Sequence, residues 1–193
     1  MAKLTRDITR GYFKHMSKVY DTTYVHKQSD PNIKAIAFAL DLMRIMDDEV
    51  FLENYAITIC SPRRRLIYLP FKPGGRAVPL LQQIELCTHE HHHVRQYDRL
   101  GVGHQTKYLF DADYRAHKEV RALRCNMEMH YKLTKRVLNP HLLAQSLKAY
   151  RLSNAQIRVV QKHLEEAARV VAQGGIHNHP SKVGWRWLKK QGF

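Results

Sequence analysis

The chain has 193 residues, 44% of which are hydrophobic, and it carries a formal net charge of +15. This length and composition suit one globular domain with extensions, and no run of about 18 apolar residues is present that would span a membrane as a helix. The N-terminus lacks the uninterrupted apolar segment of a secretion signal, so we expect a cytoplasmic protein.

The positive charge is concentrated toward the C-terminus. From Lys132 onward the chain contains 12 Lys and Arg residues but only two acids, Glu165 and Glu166. Such a segment predicts an anionic partner, for which nucleic acid, an anionic cell-envelope polymer and an acidic protein are the candidates. A solvated basic surface without a dedicated ligand is the competing interpretation, because no nucleic-acid-binding motif accompanies the charge.

The three cysteines, Cys60, Cys87 and Cys125, are widely spaced and include no CxxC pair. This spacing excludes a zinc ribbon built on thiolates. It is typical of reduced thiols in the core of a cytosolic protein.

The N-terminal part of the chain predicts a basic segment, a helix and two short strands. Residues 1–30 form a basic arm or a first helix, with apolar residues at helical spacing. The next helix is expected from Asp30 and Pro31, which suit the N-cap and the first helical position. The segments 54–60 and 64–71 are rich in β-branched and aromatic residues, so they predict a hairpin or two adjacent strands.

Two long helices are expected next. The first runs from about residue 77 to 100, and Gly101 ends it. The second runs from about residue 105 to 134, with a break near Asp111.

The C-terminal third predicts further helical structure. Ser153 is a suitable N-cap for a helix that stops at Gly174-Gly175, and the tail 174–193 is expected to be extended. Together the elements predict an α+β protein that is mostly helical, with a small β-sheet or hairpin and additional C-terminal helices.

The first long helix contains His89-Glu90-His91-His92-His93, which satisfies the pattern HExxH. Residues four apart on an α-helix differ by about 40° of arc, so His89 and His93 project from one face and can reach one zinc ion. Glu90 points to the same side, where its carboxylate can accept a proton from an attacking water. We expect His91 to face the core or to support the metal ligands without binding the metal itself, and His92 to lie on the surface. A chance match is the alternative, because the chain contains 13 histidines.

A catalytic zinc site needs a third protein ligand, and four downstream residues are candidates: His104, His117, Glu119 and Glu128. Glu119 is the only acid on an otherwise apolar stripe of the second long helix, formed with Ala112, Ala116, Leu123 and Met127. Because a buried carboxylate must be compensated, either a zinc ion or a salt bridge to a basic side chain would explain it.

The other three candidates have simpler interpretations. Glu128 shares a helix face with Arg121, Arg124 and Lys132, where ion pairs suffice. His117 is expected to be exposed, and His104, in a glycine-flanked turn, is expected to cap a helix or to face solvent.

The stretch LCTHEHHHVRQYDRLG followed by KYLFDADYRAHKEVRAL resembles a compact group of gluzincin-type zinc metallopeptidases from bacteria and bacteriophages. The residues that match the pattern of this group are His89, Glu90, His93, Val94, Gln96, Gly101, Tyr108, Leu109, Arg115, Glu119 and Ala122. The resemblance covers roughly residues 55–125. It implies a minimal zincin-like fold in which His89, His93 and Glu119 bind Zn²⁺ and Glu90 is the general base. His91, His92 and Leu123 depart from the pattern of the group.

On this interpretation the chain divides into four parts. They are a basic N-terminal arm (1–30), a zincin-like metal-binding domain (31–134), a C-terminal helical extension (135–173) and a basic aromatic tail (174–193). The leading hypothesis is zinc-dependent hydrolysis of amide bonds in a protein or peptide substrate.

Two other functions remain open. The first is a non-enzymatic assembly protein, such as a component of a phage virion, whose terminal segments bind assembly partners and become ordered on them. The second is nucleic-acid binding through the tail, where Trp185 and Trp187 lie among Arg186, Lys189 and Lys190.

Overall fold

The computed structural model describes residues 3–193, except for the side chain at position 29. Positions 1 and 2 of the predicted basic arm lie outside the described residues. The helices are α1 (Arg6–Tyr20), α2 (Ile33–Leu42), α3 (Asp48–Asn54), α4 (Leu80–Leu100), α5 (Val102–Phe110), α6 (Ala112–Thr134), α7 (Pro140–Ser146), α8 (Asn154–Ala172) and α9 (His179–Lys190). The strands are β1 (Thr23–His26), β2 (Ile57–Cys60) and β3 (Arg65–Leu69). The prediction of a mostly helical α+β protein with a small sheet is therefore confirmed.

Helix α1 is part of the hydrophobic core. The Thr5 side chain accepts a hydrogen bond from the Ile8 amide and caps the helix. Tyr12 and Phe13 are at most 2% exposed, and the Tyr12 hydroxyl lies 2.7 Å from the Thr88 hydroxyl on α4. Much of the predicted arm is thus a docked amphipathic helix.

The sheet has the order β1-β3-β2. Strand β3 pairs with β2 in antiparallel register, which confirms the predicted pair of strands, and it pairs with β1 in parallel. The parallel strand β1 was not predicted, because four residues leave little periodicity and their partner lies about 40 residues further along the chain. Strand β2 is an edge strand and contacts α4.

Helices α2 and α3 form a small apolar cluster with the sheet. Ile33, Leu40 and Phe51 are buried there together with Tyr68 of β3. Helix α2 begins at Ile33 and not at Asp30–Pro31, so the predicted start was wrong by two residues. The Asp30 carboxylate instead accepts a hydrogen bond from the Asn32 amide, 2.8 Å away, in a turn that precedes the helix.

Helix α4 lies at the centre of the fold, where it contacts α1, α5, α6, α9 and β2. It ends at Gly101, as predicted, where a φ of 70° suits glycine. The break predicted near Asp111 separates α5 from α6. The Asp111 carboxylate accepts a hydrogen bond from the Tyr114 amide and caps α6.

A second apolar cluster joins α6, α7 and α8 through buried residues that include Leu123, Met127 and Leu164. The predicted cap at Ser153 is confirmed, because Ser153 and Gln156 form a reciprocal capping box at the start of α8. None of the helices between residues 3 and 193 combines the length and apolar composition needed to cross a bilayer.

The prediction of an extended tail was wrong, because α9 occupies residues 179–190. Leu188 is fully buried, and Gly184 packs so closely on α1 that a Cβ there would lie 2.0 Å from the Tyr12 hydroxyl. The buried Glu128 carboxylate accepts hydrogen bonds from the amides of His177 and Asn178 just before the helix. Boundaries placed at residues 31 and 174 therefore cut through one core, which contains both Tyr12 and Leu188.

A buried acid and a histidine join the two helices on which the HExxH motif and Glu119 lie. Glu85 Oε1 on α4 lies 2.7 Å from His130 Nδ1 on α6. Burial raises the pKa of Glu85 to about 8, and burial together with Arg136 lowers the pKa of His130. Both shifts favour a neutral pair, in which the protonated Glu85 carboxyl group donates to Nδ1.

We predict that this pair makes the free energy of unfolding fall between about pH 6.5 and pH 8. The folded pair keeps one proton in that window, whereas in the unfolded chain both side chains have lost theirs. Since the folded state binds more protons, stability decreases as the pH rises, by at most about 1.4 kcal/mol per pH unit. In Glu85→Gln the amide can still donate a hydrogen bond to His130, but it does not titrate. The pH-dependent contribution of position 85 to the free energy of unfolding should therefore vanish. Urea unfolding at both pH values measures the change in the free energy of unfolding for each protein. An equal change in the variant contradicts the prediction.

Candidate metal centre

Helices α4 and α6 bring three ligand-type side chains together. Nε2 of His89 lies 3.1 Å from Nε2 of His93, and the Glu119 carboxylate lies 3.5 Å from the first and 3.3 Å from the second. One ligand atom from each residue falls within 4.8 Å of the others. Glu119 is 1% exposed, as expected from its position on the apolar stripe of α6.

The spacing of these atoms fits a metal ion. Two ligand atoms at 2.0–2.1 Å from a tetrahedral zinc are about 3.3 Å apart, and the three observed distances bracket this value. Oε2 of Glu119 is also fully buried without a hydrogen-bond partner among the described residues. Burial of such an oxygen is costly, and a metal ion bound to the three residues would compensate it.

A proton on His93 is a second way to compensate the Glu119 carboxylate. Burial alone lowers the pKa of His93, but the Glu119 carboxylate outweighs it and raises the pKa to about 9. Burial alone likewise opposes ionisation of Glu119, but His93 and His89 hold its pKa below the usual value. Both pKa shifts favour an ionised Glu119 beside a positively charged partner.

Two neighbouring side chains orient the group. Nδ1 of His93 lies 3.0 Å from Oε1 of Gln96, and the Gln96 amide donates to the Lys118 carbonyl on α6. An N–H donated from Nδ1 leaves Nε2 of the neutral ring with a lone pair directed at the site. The Tyr108 hydroxyl on α5 donates to Oε1 of Glu119 and fixes the plane of the carboxylate.

Glu90 lies beside the three-residue group and faces a cleft. Its side chain is 3% exposed, and Oε2 accepts a hydrogen bond of 2.7 Å from the Thr58 hydroxyl on β2. Sequence patterns gave no signal for Thr58, because it precedes Glu90 by 32 residues and reaches it only once β2 lies against α4. Thr58 thus holds the carboxylate on the cleft wall.

The cleft has a volume of about 290 Å³, and both Glu90 and His93 contribute to its wall. Most other lining side chains are apolar, among them Ile36, Leu40 and Met43 from α2 and its C-terminal end. Strand β2 contributes all four of its residues. The arrangement places an acid and a ligand-type histidine at one edge of an apolar groove.

The two central histidines of the motif are both buried. His91 is in the core as expected, where Nδ1–H donates to the Cys87 carbonyl and Nε2 lies 3.1 Å from the Thr22 hydroxyl. The expectation that His92 lies on the surface was wrong, since it is 8% exposed. A helix that contacts neighbours all around has no free face in its middle, which a single apolar stripe does not reveal.

None of the alternative ligands belongs to the three-residue group found among the described residues. His117 is exposed, as predicted. Glu128 forms the predicted ion pair with Arg124 at 3.2 Å, although it is buried. The expectation that His104 caps a helix or faces solvent was wrong, because it is 5% exposed and lines the cleft, with Nδ1 2.9 Å from the Tyr114 hydroxyl.

Comparison with known proteins identified no relative of this chain. The chain matches no protein-family model, no curated protein and no solved structure. The metal-binding interpretation therefore rests on the geometry of His89, His93 and Glu119.

Proposed function

We propose that the protein is a zinc-dependent metallopeptidase that hydrolyses amide bonds in polypeptides. The observation that carries the proposal is the convergence of His89, His93 and Glu119, with Glu90 beside them on the wall of an apolar cleft. Two imidazoles and one carboxylate form the ligand set of known catalytic zinc sites, which keep one coordination position open. Structural zinc sites instead use four protein ligands, most often thiolates.

When bound, zinc supplies a Lewis acid that polarises a carbonyl group and makes water a stronger nucleophile near neutral pH. Proton transfer is then the task of Glu90. Its Oε2 is engaged by Thr58, so Oε1 accepts the proton of the attacking water. The carboxyl group returns this proton to the nitrogen of the leaving amine, which regenerates the carboxylate.

The cleft supports an extended polypeptide as the substrate. Among the described residues, β2 pairs with β3 on one side, and the N–H and C=O groups of its other edge would bind a peptide backbone. Ile57, Ile36 and Leu40 on the cleft wall would contact apolar side chains of such a peptide.

The assembly hypothesis has less support from the fold. It was motivated by terminal segments that would become ordered only on a partner. Helices α1 and α9 instead pack into a shared core through Tyr12 and Leu188, so they are ordered within the chain itself.

Chelation of the zinc-loaded protein tests the proposal. We expect a mixture of quenched fluorescent peptides rich in apolar residues to be hydrolysed, the activity to be lost with phenanthroline, and added zinc to restore it. Hydrolysis that persists under chelation contradicts the proposal. Absence of hydrolysis while one zinc ion is bound per chain contradicts it as well and favours a structural site.

A further inference from the structure

Helix α9 presents a cationic stripe to solvent. Lys182, Arg186, Lys189 and Lys190 are all exposed, while Leu188 and Gly184 are buried against the core. At about 100° per residue, the four cations fall within roughly 100° of arc, so they share one face of the helix. No acid follows Glu166 in the chain to balance them.

Other elements extend this stripe with further cations. His179 lies near Arg95 and Arg99 of α4 as well as Lys182 and Arg186, and burial together with these charges lowers its pKa. Other cations lie near the end of α9, where Lys18 and Lys190 are both near His15 and Lys132 is near Lys189. We call the central group the basic face: Arg95, Arg99, Lys182, Arg186, Lys189 and Lys190.

Acids of the protein do not neutralise the basic face. None of its six side chains forms an ion pair with an Asp or Glu among the described residues. Two acids on the neighbouring helices α4 and α6 are already engaged, since Asp98 pairs with Arg65 and Glu128 with Arg124. Mutual repulsion of unpaired cations is relieved when a polyanion binds.

The aromatic residues of α9 indicate which polyanion fits. Trp187 packs against Tyr12 and stacks on His15, with ring centroids 5.9 Å apart in each case. The tryptophans are therefore half-buried packing residues and not the stacking platform that single strands require. No large exposed hydrophobic side chain lies on α9, so it lacks the residues that insert an amphipathic helix into a membrane.

We propose that the basic face binds the phosphate backbone of double-stranded nucleic acid without sequence preference. Contacts from lysine and arginine to phosphates release counterions, so affinity falls steeply with salt. Four such contacts give an affinity loss of about 10²-fold between about 50 and 200 mM salt. This binding is independent of hydrolysis at the metal centre, because none of the six cations lines the cleft.

A charge-matched pair of variants tests the proposal by fluorescence anisotropy with a labelled DNA duplex of about 20 base pairs. The face variant carries Arg99→Ser, Lys182→Ser, Arg186→Ser and Lys189→Ser. The control carries Arg63→Ser, Arg64→Ser, Arg158→Ser and Lys162→Ser, which removes the same charge from other exposed positions. Circular dichroism verifies that both remain folded.

We expect the face variant to bind the duplex at least about 30-fold more weakly in low salt. The slope of log affinity against log salt concentration should decrease in magnitude by about one for each removed cation. The control should retain affinity within about threefold. Equal weakening in both variants overturns the proposal, because it indicates net charge without a site. Absence of binding by the unmodified protein at about 50 mM salt overturns it, as does tighter binding to single strands or to vesicles of anionic lipid than to the duplex.

Discussion

Replacement of Glu90 by glutamine is expected to leave zinc binding intact and to lower kcat/KM by about 10³-fold, within the range of 10²–10⁴ for general acid–base catalysis. Glutamine has nearly the shape of glutamate and can still accept the hydrogen bond from Thr58. Its amide does not accept a proton from water near neutral pH. Zinc content by atomic absorption and peptide hydrolysis, measured on the same sample, separate binding from chemistry.

Thr58→Val serves as the graded control for this variant. Valine keeps the volume of threonine but removes the donor that holds Oε2 of Glu90, so the carboxylate remains while its position relaxes. We expect a loss of about tenfold in kcat/KM with unchanged zinc content. Turnover of Glu90→Gln at the rate of the unmodified protein would rule out the assigned base.

Replacement of Glu119 by glutamine is expected to weaken zinc binding by at least about 100-fold. Loss of a hydrogen-bond partner of a ligand costs 10- to 100-fold in affinity, and loss of a ligand's charge should cost at least as much. Among the described residues, Glu119 is also the only acid that contacts both histidines, and the variant removes its charge. Competition with a chromophoric chelator measures the change.

Glu128→Gln is the matched control, because Glu128 is an equally buried acid on the same helix. Its carboxylate contacts Arg124 and the amides before α9 instead of the histidines. We expect this variant to lower the stability of the fold by about 1–3 kcal/mol and to leave the zinc affinity of the folded protein unchanged. Equal zinc affinities in the two variants would show that Glu119 is not a zinc ligand.

The features that the sequence predicted well are those with local chemistry. Gly101, Asp111 and Ser153 mark helix ends through a positive φ or a side-chain cap, and each acts within three or four residues. The pairing of His89 and His93 follows from helix geometry alone. The burial of Glu119 followed from its position on an apolar stripe.

Features that depend on several elements at once were not predictable from such patterns. Helix α9 has a polar composition but buries Leu188 and Gly184 because α1, α4 and α6 together provide a surface for it. His92 and His104 are buried for a similar reason, since α4 and α5 have neighbours on faces that a single helix leaves exposed. The contact between Thr58 and Glu90 arises only when the sheet edge meets α4.

The two proposed activities occupy different parts of the molecule and can be separated by mutation. The metal centre lies between α4 and α6, beside a cleft lined mainly by α2, β2, α4 and α5, whereas the basic face belongs to α9 and the C-terminal end of α4. Glu90→Gln should therefore retain duplex binding, and the face variant should retain hydrolysis of short peptides.

Anomalous diffraction at the zinc absorption edge, from crystals of the zinc-loaded protein, tests the central claim most directly. The account predicts one peak within about 2.0–2.2 Å of His89 Nε2, His93 Nε2 and a Glu119 oxygen, with a solvent molecule as the remaining ligand. A peak bound by a fourth protein side chain, such as His104, would contradict a catalytic site. A peak located away from these three residues would contradict the site itself.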